Sequence, residues 1–358
     1  MNLEVKKLYS DKWFSYLQAQ ICNQFEEIEK NAKSSKKFIS TNWFKKINGG
    51  GGTYKILRNA YNQFIKKIGD LMAFKLANIS GKAALVKGEH YYDLKVISNN
   101  TFDEDTLNAL NRLDELHELN GTLDEKTPTG LLEEAKIDAP ISSPKNCYAV
   151  GLNYRNHAEE AGMEIPSVPM IFTKHTSCLV GPHAEIEMRS DHVDYEAELV
   201  AVIGKSGKDI SVDDAWDHVA GLCIGQDISD RVVQFAAKPP QFNLGKSFDT
   251  FGPMGPYLVS LDALENKEKL NIKCKVNDEI RQNDNTNDLI FDIPSIIKYL
   301  SEIVTLNVGD VIFTGTPGGV GVMEGKFLKE GDVLTTSIEG LGSLENVCKR
   351  ITNHSGVE

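Results

Sequence analysis

Asp194-Tyr195-Glu196-Ala197-Glu198-Leu199-Val200-Ala201-Val202-Ile203 is the stretch on which the reading of this chain turns. Successive side chains of a strand point to opposite faces, so Glu196 and Glu198 share one face, roughly 7 Å apart at Cβ. That face continues into Val200 and Val202, while Tyr195, Ala197, Leu199, Ala201 and Ile203 line the other. Two carboxylates therefore enter a strand that is apolar on both sides. Burying them ionised and unpaired costs several kcal/mol each. A hard divalent cation removes that cost, and carboxylate oxygens suit Mg²⁺, Mn²⁺ or Ca²⁺ rather than zinc. The same pattern also fits an edge strand with its glutamates in water. A third carboxylate favours the metal: Asp227 directly follows the apolar run Leu222-Cys223-Ile224-Gly225-Gln226, at a strand end where polar site residues tend to sit.

Outward from this point, the sequence from Tyr148 on alternates short β-rich segments with Gly and Pro turns: YAVGLNY, YEAELVAVIG, GPYLVSL, LNIKCKVN, DVIFTGT and VLTTSIEG. One helix is expected over residues 293–306, opened by Asp292 as N-cap and by Pro294 in its first turn. Upstream, MAFKLANISGKAALVKGEHYYDLKVIS, from Met72, reads as a small β-meander. The acidic segment 103–137 carries Leu107, Leu110, Leu113 and Leu116 at helical spacing, as a short surface helix does. Pro140 and Pro144 mark a linker. The fold class expected is α+β and β-rich, divided into an extension (1–71), a small N-terminal subdomain (72–140) and a main domain (141–358).

The charge supports the first boundary. The chain has 358 residues and a formal net charge of −12, yet residues 1–71 hold 13 Lys and Arg against 6 Asp and Glu, and the remainder 26 against 45. The acidic balance excludes a general nucleic-acid binder. No apolar run approaches the roughly 20 residues of a membrane span, and the N-terminus has no secretory pattern, so a cytoplasmic protein is expected. Cys22, Cys147, Cys178, Cys223, Cys274 and Cys348 are scattered without a CxxC pair and read as reduced thiols used as small hydrophobes. In the extension, Trp13, Leu17, Ile21, Phe25 and Ile28 mark an amphipathic helix over residues 10–30, and Gly49 to Gly52 a turn. Residues 13–69, above all KKFISTNWFKKINGGGGTYKILRNAYNQF, resemble the N-terminus of aerobic coproporphyrinogen III oxidase. Nothing downstream continues that likeness, so the extension is expected to be a remnant or fusion extension, with a regulatory or tetrapyrrole-binding appendage as the alternative.

The main body resembles a different family. GLNYRNHAEEAG, DYEAELVAVIGK, GQDISDR, GKSFDTFGPMGP and GDVIFTGTPGGVG occur in the order found in the fumarylacetoacetate hydrolase superfamily, over residues 72–351. The resemblance implies a mixed β-roll core, usually a homodimer, and a Mg²⁺ held by Glu196, Glu198 and Asp227. It implies that His157 and Glu160, three apart and on one face of a helical turn, form a water-activating pair. By residues alone this HxxE reads rather as a surface His–Glu pair. Lys246 resembles the family lysine that faces the metal, and Gln234 a substrate-contacting glutamine. Gly315 and Thr316 belong to a glycine-rich turn able to hold a carboxylate. Three positions depart from the family pattern: Gln226 for asparagine, His175 for proline, and Val150 where one branch has an aspartate. The activity implied is Mg²⁺-dependent C–C hydrolysis of an acylpyruvate-type 2-oxo acid. Isomerisation, decarboxylation or hydration at the same site is the alternative, and a non-enzymatic binding protein the alternative of another class.

Overall fold

In the computed structural model, which describes residues 73–351, the centre is a pair of antiparallel strands, Ala197–Ile203 and Val219–Gln226, every residue of which is buried. Their registers set Glu198 against Gly225 and Ala197 against Gln226. Gly225 is required there: a Cβ would lie 2.5 Å from both Phe313 Cε1 and Val200 Cγ2. The absent side chain thus lets Phe313 pack on the strand beside the carboxylates.

The pair sits within a 12-stranded sheet. On one side Ala197–Ile203 pairs with Val311–Phe313, which pairs in parallel with Cys147–Gly151, itself antiparallel to Met170–Thr173. On the other side Val219–Gln226 pairs with Gly252–Val259, and that strand with Lys75–Ile79. The expected meander is present as Lys75–Ile79, Lys82–Lys87 and His90–Asp93, so these strands extend the same sheet. A second, five-stranded sheet runs in the order Glu279–Asn285, Asn271–Val276, Val333–Ile338, Gly342–Arg350, Ile186–Met188. One continuous apolar core includes residues of both, from Leu76 and Leu85 through Val200, Ile224 and Phe313 to Ile272, Leu334 and Leu344. The described residues are α+β and sheet-rich, as the sequence led one to expect.

Two helices differ from expectation. Asp292 caps as expected, accepting a hydrogen bond from Ser295 N–H at 2.9 Å, but the helix ends at Ile303. Val304 is extended, and Leu306 is buried by bridging to Gly207, so backbone pairing outcompetes a further turn. The leucine-spaced segment forms two helices, Thr106–Leu110 and Leu113–Gly121, broken at Arg112. Cys147, Cys178, Cys223, Cys274 and Cys348 are free and buried. Among the described residues no helix is long and apolar enough to cross a membrane. The amphipathic helix, the glycine turn, Cys22 and the coproporphyrinogen-oxidase resemblance all lie outside the described residues.

Candidate metal centre and substrate pocket

Glu196 enters the site because the strand begins just after it. The Glu196 N–H donates to Gln226 Oε1 (3.0 Å) and the Ala197 N–H to Gln282 Oε1 (2.9 Å). Two glutamine side chains thus satisfy backbone donors where the ladder stops. Gln226, the departure from asparagine, also donates to Thr336 Oγ1 at 2.7 Å and so reaches the second sheet. Across the ladder, Asp227 N–H donates to Glu196 O at 2.9 Å, which places the third carboxylate beside the first.

Glu196, Glu198 and Asp227 converge: one oxygen from each lies within 4.8 Å of the others, and all three residues are buried. Three carboxylates this close repel unless a cation joins them. Burial first, then Asp227 and Glu196, push the Glu198 carboxyl well above the usual carboxylate range. Among the described residues its one hydrogen bond comes from Gly315 N–H at 2.7 Å. Burial also opposes ionisation of Glu196, but Lys246 and Arg231 outweigh it and hold that carboxyl down at about 2. An all-oxygen donor set with an under-partnered buried carboxylate fits a hard divalent cation. The triad is a metal-binding acidic cluster.

Three buried cations surround it. Lys246 Nζ donates to Glu196 Oε2 (2.7 Å), Asp227 Oδ2 (2.8 Å) and Ser229 Oγ (2.8 Å). Arg231 donates to Asp194 Oδ2 through Nε (2.9 Å) and Nη2 (2.7 Å), to Glu196 Oε1 (2.7 Å) and to Gln234 Oε1 (2.7 Å). Lys174 donates to Asp227 Oδ1 (2.6 Å), to Phe251 O (3.1 Å) and to Lys246 O. Burial works against the Lys174 charge, and Asp227 outweighs it, so the lysine is held above its ordinary value. The short helices Arg231–Gln234 and Phe242–Gly245 bring Arg231 and Lys246 together. They touch because Gly245 has no Cβ, which would meet Gln234 N at 2.8 Å.

A pocket of about 290 Å³ opens on this cluster, lined by His157, Glu196, Arg231, Gln234, Lys246 and Thr316 among apolar residues such as Phe172, Phe242 and Val320. His157 and Glu160 lie on the helix Arg155–Glu160, which Asn153 anchors by hydrogen bonds to Phe291 and Thr314. His157 Nδ1 is 3.6 Å from Glu160 Oε2 and has no hydrogen-bond partner, while that carboxylate oxygen accepts from Gly319 N–H at 2.9 Å. Thr316 donates its hydroxyl to Ala197 O (2.9 Å) and accepts from Gln282 (2.8 Å). The glycine-rich turn therefore aims Gly315, Gly319 and the Thr316 hydroxyl at the protein's own acceptors. Lys174, Arg231, Asp194 and Gln282 received no role from the sequence. Arg231 closes the GQDISDR motif, and Lys174 is a lone charge after the apolar run Met170-Ile171-Phe172.

The profile of the fumarylacetoacetate (FAA) hydrolase C-terminal family matches residues 146–349. The chain belongs to this family of enzymes. It is 46% identical over 231 residues to a fumarylacetoacetate hydrolase domain-containing protein 2 homolog of Dictyostelium discoideum, covering 61% of this chain and 75% of that protein. It is 46% identical over 224 residues to the oxaloacetate tautomerase YisK of Bacillus subtilis, covering 60% and 73%. The crystal structure of maleylpyruvate hydrolase from Sphingobium sp. SYK-6, in complex with manganese(II) ion and pyruvate, superimposes with a TM-score of 0.66. It is 27% identical, covering 77% of this chain and 99% of that one.

Proposed function

We propose that the chain is a divalent-metal-dependent tautomerase interconverting the enol and keto forms of a small 2-oxo diacid of the oxaloacetate type. This replaces hydrolysis, the sequence expectation, as the leading reading. Its main support is the 46% identity to an oxaloacetate tautomerase over 224 residues. The reaction moves one proton between the enol oxygen and the adjacent carbon, and needs a proton carrier and a stabilised enolate but no attacking water. Glu196, Glu198 and Asp227 would hold a divalent ion, which when bound would supply Lewis-acid polarisation of the 2-oxo group. Arg231 and Lys246 offer positive charge to a dianionic substrate, and Gln234 orients it. His157, with an unpartnered ring nitrogen, holds the proton in transit. The apolar wall of Phe172, Phe242 and Val320 keeps bulk water from exchanging it.

Hydrolysis of an acylpyruvate is the second reading, favoured by the likeness to maleylpyruvate hydrolase with its manganese and pyruvate. It asks Glu160 to orient His157 for water activation, and here the Glu160 oxygen nearest His157 accepts Gly319 N–H. A panel of 2-oxo acids separates the two. Tautomerisation predicts loss of the enol absorbance of oxaloacetate with no change in carbon skeleton. Release of pyruvate and a carboxylic acid from an acylpyruvate at a comparable rate contradicts it.

A further inference from the structure

Two buried lysines serve the same aspartate by different geometries. Lys174 Nζ meets Asp227 Oδ1 and spends its remaining donors on the carbonyls of Lys246 and Phe251, touching no other member of the triad. Its side chain is fully buried, and its contacts join three separate segments. Lys246 Nζ instead bridges two members of the triad, Glu196 Oε2 and Asp227 Oδ2, with Ser229 Oγ as its third acceptor. It also lines the pocket, whereas Lys174 does not. Every oxygen of Glu196 and Asp227 thus already accepts from a cationic side chain, and the oxygen pair that joins the two residues belongs to Lys246.

We propose that Lys246 is an exchangeable counter-cation of the triad, displaced from its bridging position by the divalent ion and so handed to the pocket, while Lys174 is a fixed positioning residue for Asp227. The proposal rests on reading the triad as a metal centre. Like charges in a buried site repel strongly, so an ammonium and a divalent ion do not share two carboxylate oxygens at contact distance. Lys246 has somewhere to go, because it lines the pocket together with Gln234, Phe242 and Thr316. Lys174 has nowhere to go. Loading the metal thereby creates the positive charge that a substrate carboxylate meets, and metal and substrate bind cooperatively without movement of the strands.

The test titrates Mn²⁺ by calorimetry into chelator-stripped wild type, Lys246→Met and Lys174→Met, with thermal melts of each protein with and without the ion. Removing an exchangeable competitor destabilises only the stripped protein. Lys246→Met should therefore bind Mn²⁺ roughly ten-fold tighter than wild type and gain more melting temperature on loading. Lys174→Met should melt lower in both states and gain no more than wild type. Lys246→Gln keeps an amide donor without the charge, follows the same direction, and serves if the Met variant does not fold. Equal or weaker Mn²⁺ binding in the Lys246 variants overturns the exchange. Pyruvate should raise the melting temperature of Mn²⁺-loaded wild type and fail to do so in Lys246→Gln; an equal rise in both overturns the hand-over to the pocket. A wild type that binds no Mn²⁺ at all overturns the metal-centre reading itself, whatever the lysines do.

Discussion

Replacing Arg231 with Met should cost stability and substrate affinity together, and the structure gives the size of each loss. The guanidinium is 7% exposed and joins Asp194 to Glu196 with N···O distances of 2.7 Å. Removing one partner of a buried ion pair typically costs about 3–5 kcal/mol, because the other charge stays buried. Here both carboxylates keep other donors: Asp194 retains Gly321 and Val322 N–H at 2.7 and 2.9 Å, and Glu196 retains Lys246 at 2.7 Å. The loss should therefore fall near the lower bound, about 3 kcal/mol. Urea unfolding of wild type and variant, both stripped of metal so that Lys246 stays on Glu196, measures it. In a cycle with Asp194→Asn, the double variant should lose less than the sum of the singles by about 1–3 kcal/mol, since both changes break one pair. Catalysis should show a raised KM for oxaloacetate by roughly ten-fold or more, the worth of one charge-assisted hydrogen bond. A stability loss under about 1 kcal/mol, the value of an exposed pair, would refute the reasoning.

Other consequences are equally direct. His157→Ala should slow enol–keto interconversion by roughly 10²- to 10⁴-fold and leave Mn²⁺ affinity by calorimetry unchanged, since His157 is not a ligand in this account; retained turnover puts the proton carrier elsewhere. Gly225→Ala should destabilise by about 1–3 kcal/mol in denaturant unfolding, because the new methyl overpacks against Phe313 and Val200; a neutral result means that the central strands repack freely. A chain begun at Met72 should keep its turnover, from the charge break and the truncated resemblance. A folded but inactive product would make residues 1–71 part of the enzyme.

The central strand was legible because its two periodicities agree: alternation put Glu196 and Glu198 together, and continuous apolarity announced burial on both faces. Asp227 was legible for the related reason that it ends an apolar run. Lys174 and Arg231 were not, because their importance lies in partners 53 and 35 residues away, which no local pattern encodes. The Thr316 turn was read as a ligand cradle from its composition. Its donors reach Glu198 and Ala197 because the Val311–Phe313 strand pairs with Ala197–Ile203, and Gly319 N–H reaches Glu160 on a separate helix. Helix ends escaped for a similar reason: Leu306 keeps the helical spacing, but its backbone bridges to Gly207.

The most direct test follows the decay of enol oxaloacetate by its absorbance with wild type and Glu198→Gln, each stripped by chelation and then given Mn²⁺. The account predicts that stripped wild type loses its catalysis and regains it on Mn²⁺ addition, while Glu198→Gln stays near the uncatalysed rate throughout. Full activity in the stripped wild type, or in Glu198→Gln, would contradict it.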